Sequence, residues 1–226
     1  MRFKGIIFDL DGTLLNTIED IADSHNYALA KYNYKTYPVS RYKYFVGSGM
    51  DELIRRVMKE QNINEEHFFD LRAAYIEEYG KKQNSKTRPY PGIVSLLNQL
   101  TKAGYSVNIL SNKPHFQTKP VVSNYFENVK FDLIYGKKPE FDIKPNPDSA
   151  WDLISKLKLK PNEILYVGDT ATDILTAKNA NFTSVGVLWG FRDEAELIEA
   201  GADYIVTKPS DIFQILEGDD FDFKPR

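Results

Sequence analysis

Short apolar runs alternate with helical periodicities along most of the chain. Residues 6–8, 106–110, 131–135, 164–167, 183–188 and 204–206 are brief apolar stretches bounded by turn residues, and each predicts a strand. Between them, residues 92–103, 146–157 and 172–179 predict helices. In the first of these, Ile93, Leu96, Leu97 and Leu100 recur at i, i+3, i+4 and i+7, which makes one apolar face. The opening run, Lys4-Gly5-Ile6-Ile7-Phe8, is apolar without alternation, as in a strand buried on both sides. Strands alternating with helices imply βαβ units. The expected fold is α/β, a Rossmann-like parallel sheet with helices on both faces. Right-handed crossovers then place the loops that follow the strands on one edge of the sheet, the edge where such folds bind ligands.

Residues 16–86 break this alternation. Helical patterns over 18–30, 50–60 and 65–80 are rich in tyrosine and are punctuated by Pro38, by Gly47-Ser48-Gly49 and by residues 62–64. The pattern predicts a small α-helical domain, 16–86, inserted into a core made of 1–15 and 87–226. The chain returns through the polar stretch 81–88 and re-enters the core at Tyr90-Pro91-Gly92. Both crossings, near residue 16 and at 82–88, are predicted hinges. The acidic tail, 217–226, reads as a frayed terminus.

Composition narrows the function classes. The 226 residues suffice for one sizeable core with a smaller insert. A formal charge of −3 with mixed acids and bases argues against a nucleic-acid partner. With no cysteine there is neither a disulfide framework nor a thiolate metal site. No run approaches the roughly 18 apolar residues of a membrane span, and the first apolar run is too short for a signal peptide. A soluble cytoplasmic protein with no membrane partner, monomer or homodimer, is the expectation.

The candidate chemistry sits at the ends of three predicted strands. Asp9 and Asp11 leave the first strand, just before Gly12. An EF-hand starting at Asp9 would need glycine at Leu14 and glutamate at Asp20, so calcium-loop spacing is absent. Ser111-Asn112-Lys113 follows the second run, Lys144-Pro145 lies in a polar loop, and Gly168-Asp169, with Asp173 four residues on, follows a third. Each piece alone has an ordinary reading, as a solvated loop or a helix cap. Their joint occurrence, in order, points to metal-assisted phosphoryl transfer. A phosphate monoester carries about two negative charges, so a carboxylate cannot approach it without a cation between them. Asp9 and Asp169 offer hard oxygen ligands for Mg²⁺. Asp9 is then the nucleophile and Asp11 the acid and base. Lys144 balances the acids, and the Ser111 hydroxyl with Asn112 and Lys113 supplies donors for phosphoryl oxygens. Asp173 either supports a metal-bound water or pairs with Lys144.

These motifs resemble, over nearly the whole length, the haloacid dehalogenase superfamily hydrolases that carry a helical cap after the first motif. The resemblance implies that the main-chain carbonyl of Asp11 also ligates Mg²⁺, alongside Asp9 and Asp169. The segments Phe45-Val46-Gly47-Ser48-Gly49 with Arg56, Ser111-Asn112-Lys113-Pro114 and Gly186-Val187-Leu188-Trp189-Gly190-Phe191-Arg192 look like those of phosphoglycolate phosphatases. By that likeness the Gly47 loop faces the active site, and the substrate is a small phosphorylated metabolite, with 2-phosphoglycolate the best single choice. An acid at Asp11 argues against dehalogenation, and His25 lies five residues late for the cap histidine of β-phosphoglucomutases. No cap lysine stands in an assignable phosphonatase context. Pyrophosphate, a nucleoside monophosphate, or a phosphorylation switch built on Asp9 remain as alternatives.

Overall fold

The computed structural model describes residues 2–82 and 84–218, so the tail from 219 on lies outside the described residues. The first half of the chain runs β1 (Gly5–Phe8), β2 (Leu15–Asn16), α1 (Ile18–Lys31), α2 (Val39–Phe45), α3 (Met50–Glu60), α4 (Phe68–Lys82), β3 (Arg88–Pro89) and α5 (Ile93–Lys102). It continues with β4 (Ser106–Pro114), α6 (His115–Tyr125), β5 (Leu133–Lys137), α7 (Asp148–Leu157), β6 (Ile164–Gly168), α8 (Ala171–Asn179), β7 (Thr183–Val187), α9 (Glu194–Glu199), β8 (Tyr204–Val206) and α10 (Ser210–Glu217).

Six strands form one parallel sheet in the order β5-β4-β1-β6-β7-β8. Side-chain alternation splits its apolar residues between two layers. Ile6, Phe8, Leu165 and Val167 face α5 and α10 through Leu96, Leu97, Ile212 and Ile215. Ile7, Ile164 and Tyr166 face the other way, onto Leu153, Ile154 and Ala177 of α7 and α8. Burial on both sides is why these strands read as unbroken apolar runs. The chain leaves β1 toward β4 on one flank and later returns to β6 on the other, so β1 marks the point where the winding reverses.

Helices α1 to α4 bury a cluster of their own, including Leu29, Tyr42, Ile54, Val57, Leu71 and Tyr79. The two crossings between this insert and the sheet lie side by side: Leu15 pairs with Pro89 and Asn16 with Arg88 in an antiparallel ribbon. The buried Asp20 carboxylate ties the return strand to α1, accepting from Lys86 N (3.0 Å), Thr87 N (2.8 Å) and Thr87 Oγ1 (2.7 Å). Among the described residues, no helix is long and apolar enough to cross a membrane.

Several expectations shift. Strand β4 runs on to Pro114, past the predicted end at 110, with a register break against β5 between Leu110 and Pro114. The strand predicted at 131–135 is Leu133–Lys137 instead. The helix predicted from 65 opens as a 3₁₀ turn, Glu65–His67, capped by the Asn64 side chain. Helices α2, α6, α9 and α10 were not predicted.

Candidate active site

Strands β4, β1 and β6 are neighbours, so their carboxyl ends bring the separated motifs together. Asp9 follows β1 and Asp169 follows β6, and the Asp9 N–H donates to the Val167 carbonyl at 2.9 Å. Asp173 comes from the first turn of α8, where its Oδ2 accepts from Thr170 N (3.1 Å) and Thr170 Oγ1 (2.8 Å) in a capping box. Carboxylate oxygens of Asp9, Asp169 and Asp173 lie within 4.8 Å of one another, and all three residues are buried. Lys144, also buried, enters from the loop before α7. Its Nζ donates to Asp9 Oδ1 (2.9 Å), Asp173 Oδ1 (2.6 Å) and the Leu110 carbonyl (3.1 Å). Of the two roles expected for Asp173, the pairing with Lys144 is the one seen.

Three buried carboxylates against one ammonium leave an excess of two negative charges. Burial pushes the Asp9 carboxyl up to about 6, with Lys144 pulling it down and Asp173 pushing it further up. Asp169 stands well above the ordinary carboxylate range for the same reasons, burial first and then the charges of Asp173 and Asp9. Burial pulls Lys144 down, but Asp173 and Asp9 more than offset this and hold it well above its usual value. A hard divalent cation fits this set in charge and in donor chemistry. The surroundings also crowd onto Asp169. Its Oδ1 accepts from Thr13 Oγ1 (2.9 Å) and its Oδ2 from Phe191 N (2.9 Å). A Cβ at Gly12, where φ is +97°, or at Gly190 would overlap the Asp169 side chain, so both positions require glycine.

The Ser-Asn-Lys segment does three different things. Ser111 lines the cavity and its Oγ accepts from Lys113 N at 3.3 Å. Asn112, expected at the phosphate, has its amide spent elsewhere. Nδ2 donates to the carbonyls of Gly47 (3.0 Å) and Lys144 (3.2 Å), and Oδ1 accepts from Lys144 N (2.8 Å). In this arrangement it ties the Lys144 loop to the Gly47 loop. Replacing it with Ala is expected to lower kcat by about 10- to 100-fold through misplacement of Lys144, with a smaller change in KM, checked by steady-state kinetics beside a thermal melt. Lys113 Nζ donates to the Asp11 carboxylate (3.2 Å) and to the Tyr79 hydroxyl on α4 (2.6 Å).

Asp9, Asp11, Ser111 and Lys113 line a cavity of about 40 Å³. The insert supplies its other wall through Ile21, Val46, Met50, Leu53 and Tyr75, together with Gly47 and Gly49. The Gly47 loop thus faces the acids. Arg56 braces it, donating to Ser48 Oγ (2.7 Å) and the Phe45 carbonyl (3.1 Å).

A model of the haloacid dehalogenase-like hydrolases matches residues 6–187, most of the chain. The chain belongs to the haloacid dehalogenase-like hydrolase family. Relatives agree over full length. A phosphoglycolate phosphatase of Mannheimia succiniciproducens is 32% identical over 221 residues, covering 95% of this chain and 99% of its own. One from Pasteurella multocida is also 32% identical, over 96% of this chain and 99% of its own. The crystal structure of a predicted phosphoglycolate phosphatase from Haemophilus somnus superposes with a TM-score of 0.90 at 30% identity, over 96% of this chain and 99% of that one. This haloacid dehalogenase-like hydrolase therefore matches these relatives over nearly its whole length.

Sequence reading singled out Phe191 and Arg192 only within a family-like segment and did not give them the role of joining insert to sheet. Phe191 contributes its N–H to Asp169 while its ring is buried in the insert's cluster. Arg192 Nη2 donates to the Val46 carbonyl at 2.8 Å. Tyr79 and Asp20 were read only as helix residues. Gln117, on the cavity wall, was also missed. Their roles were not legible locally, because each acts through a contact distant in sequence.

Proposed function

We propose that the protein is a Mg²⁺-dependent phosphatase that hydrolyses a small phosphate monoester, 2-phosphoglycolate, through an aspartyl-phosphate intermediate. The observation that carries this reading is the placement of Asp9 and Asp11 on one cavity, with Lys144 and Asp169 behind them. Asp9 attacks phosphorus and the ester P–O bond breaks. Asp11 gives its proton to the departing alkoxide, then takes one from the water that attacks the aspartyl phosphate, freeing inorganic phosphate and restoring Asp9. Lys144, fixed between Asp9 and Asp173, holds positive charge beside the transferring group, and Ser111 donates to one of its oxygens. Mg²⁺ held by Asp9, the Asp11 carbonyl and Asp169 would supply the charge that lets a dianion approach a carboxylate.

Two observations support a small substrate. Relatives at about this identity are named phosphoglycolate phosphatases. The apolar wall of Ile21, Val46, Met50, Leu53 and Tyr75 stands across from Asp9 and Asp11 in one narrow pocket, which suits a small leaving group. The helical insert, residues 16–86, is read as a cap that closes over the site and excludes water during the first step, moving on the ribbon of β2 and β3.

Phosphate release from a panel of esters tests this. 2-Phosphoglycolate is expected to show the highest kcat/KM with Mg²⁺, and none is expected to react with a chelator present. Faster release from pyrophosphate or a nucleoside monophosphate would replace the substrate. No release from any ester, with lasting labelling of Asp9 by acetyl phosphate, would replace the enzyme reading with a switch.

A further inference from the structure

We infer that the Gln117 side chain binds the carboxylate on the leaving group of the substrate; this rests on the phosphatase reading above. The cavity has few groups left to recognise anything beyond the phosphoryl end. Its insert wall carries no charged side chain. On the core wall the carboxylates repel an anion, and the Asn112 amide is already spent on Gly47 and Lys144. Gln117 is different. It lines the same cavity, is only 5% exposed, and its amide makes no hydrogen bond among the described residues. With no protein partner, and on a side chain that lines the cavity, this amide is open to a ligand there.

Its surroundings select the sign of that ligand. Gln117 stands in the first turn of α6, an 11-residue helix whose N-cap, Pro114, supplies no side-chain cap. The start of a helix carries partial positive charge and free N–H groups. Lys113 lines the same wall as a cation, its ammonium paired with Asp11 and Tyr79. An amide donor, a helix start and an ammonium together favour an anionic oxygen. A two-carbon leaving group places its carboxylate two bonds beyond the ester oxygen, and Asp9 and Gln117 line the one cavity. The class of substrate is a phosphorylated 2-hydroxy acid, the amide donating to its carboxylate.

The test compares 2-phosphoglycolate with ethyl phosphate, an ester of the same carbon count that lacks the carboxylate. Gln117→Leu keeps the bulk and removes the donors. KM for 2-phosphoglycolate is expected to rise about tenfold or more, the cost of one hydrogen bond to a charged group, while kcat/KM for ethyl phosphate stays unchanged and thereby reports an intact fold. Gln117→Glu is expected to lose still more on 2-phosphoglycolate through like charge, again sparing ethyl phosphate. Equal losses on both esters, or none on either, would overturn the inference and show Gln117 to be packing. A wild-type enzyme that hydrolyses the two esters alike would overturn it while leaving the phosphatase reading intact. Turnover of no ester would remove both.

Discussion

Asp9→Asn is expected to abolish phosphate release and, in the presence of a chelator, to make the protein more stable. The catalytic loss should reach about four orders of magnitude or more, the size found when a covalent nucleophile is removed, because no other carboxylate on the cavity wall is placed to take over. Asp11 is held away by Lys113 at 3.2 Å, and Asp169 and Asp173 are committed to Thr13, Phe191, Thr170 and Lys144. The gain in stability follows from linkage. Burial raises the Asp9 carboxyl to about 6 in the fold, against an ordinary 3.8. Its charged form is therefore penalised by folding, and the penalty grows as pH rises from the lower value through the higher one. At pH 7 it is fully present, and a neutral amide of the same shape escapes it. Lys144 keeps Asp173 as partner, so the variant should gain on the order of 1–2 kcal/mol, read from urea unfolding at pH 7. Below about pH 4 the gain should vanish. A variant that released phosphate normally would remove Asp9 from the mechanism, and a variant less stable than wild type at pH 7 would show that the carboxylate is welcome in the metal-free site.

That opposition between function and stability explains which parts of the molecule were legible in advance. The sheet could be read because burial on both faces demands unbroken apolar runs, and the predicted strand at 204–206 coincides with β8. The reading failed where a buried strand carries chemistry. Strand β4 continues through Ser111, Asn112 and Lys113, all buried, yet their polarity looks like the end of a strand. Their burial is sustained by Asp11, Tyr79, Gly47 and Lys144, partners from 32 to 102 positions away. Helix α6 was hidden by Pro120 in its interior and a mixed polar face. The acids and the lysine were legible because phosphoryl transfer dictates residue type and order at successive strand ends. The joints to the insert were not, since the Phe191 ring in a distant cluster has no signature in its own neighbourhood.

The same insert contains a second group that the fold penalises, and it sets the response of the protein to acid. His25 of α1 is 1% exposed, and neither ring nitrogen has a hydrogen-bond partner among the described residues. It packs against Tyr75 at 5.0 Å and Tyr42 at 5.8 Å between ring centroids. Burial lowers its pKa from 6.5 to about 3, so it is neutral in the fold and would be protonated in the unfolded chain below pH 6.5. A base with a depressed folded pKa stabilises fully above its unfolded value, and that stability is lost as pH falls toward the folded one. Between pH 7 and pH 4 the loss should approach about 3 kcal/mol, at 1.36 kcal/mol per unit. Asp9 and Asp169 respond in the opposite sense, so the wild-type curve alone is not the readout. The difference between wild type and His25→Leu isolates the ring. The variant should match or exceed wild type at pH 7, having removed two unpaired polar atoms, and should gain about 3 kcal/mol on it by pH 4. Tyr75, the ring against His25, also forms part of the cavity wall, so acid should loosen that wall in wild type before it does so in the variant. Hydrogen exchange of α1 and α4 across this pH range would follow it. A difference between the two proteins that did not change with pH would mean that His25 finds a partner for its proton inside the fold.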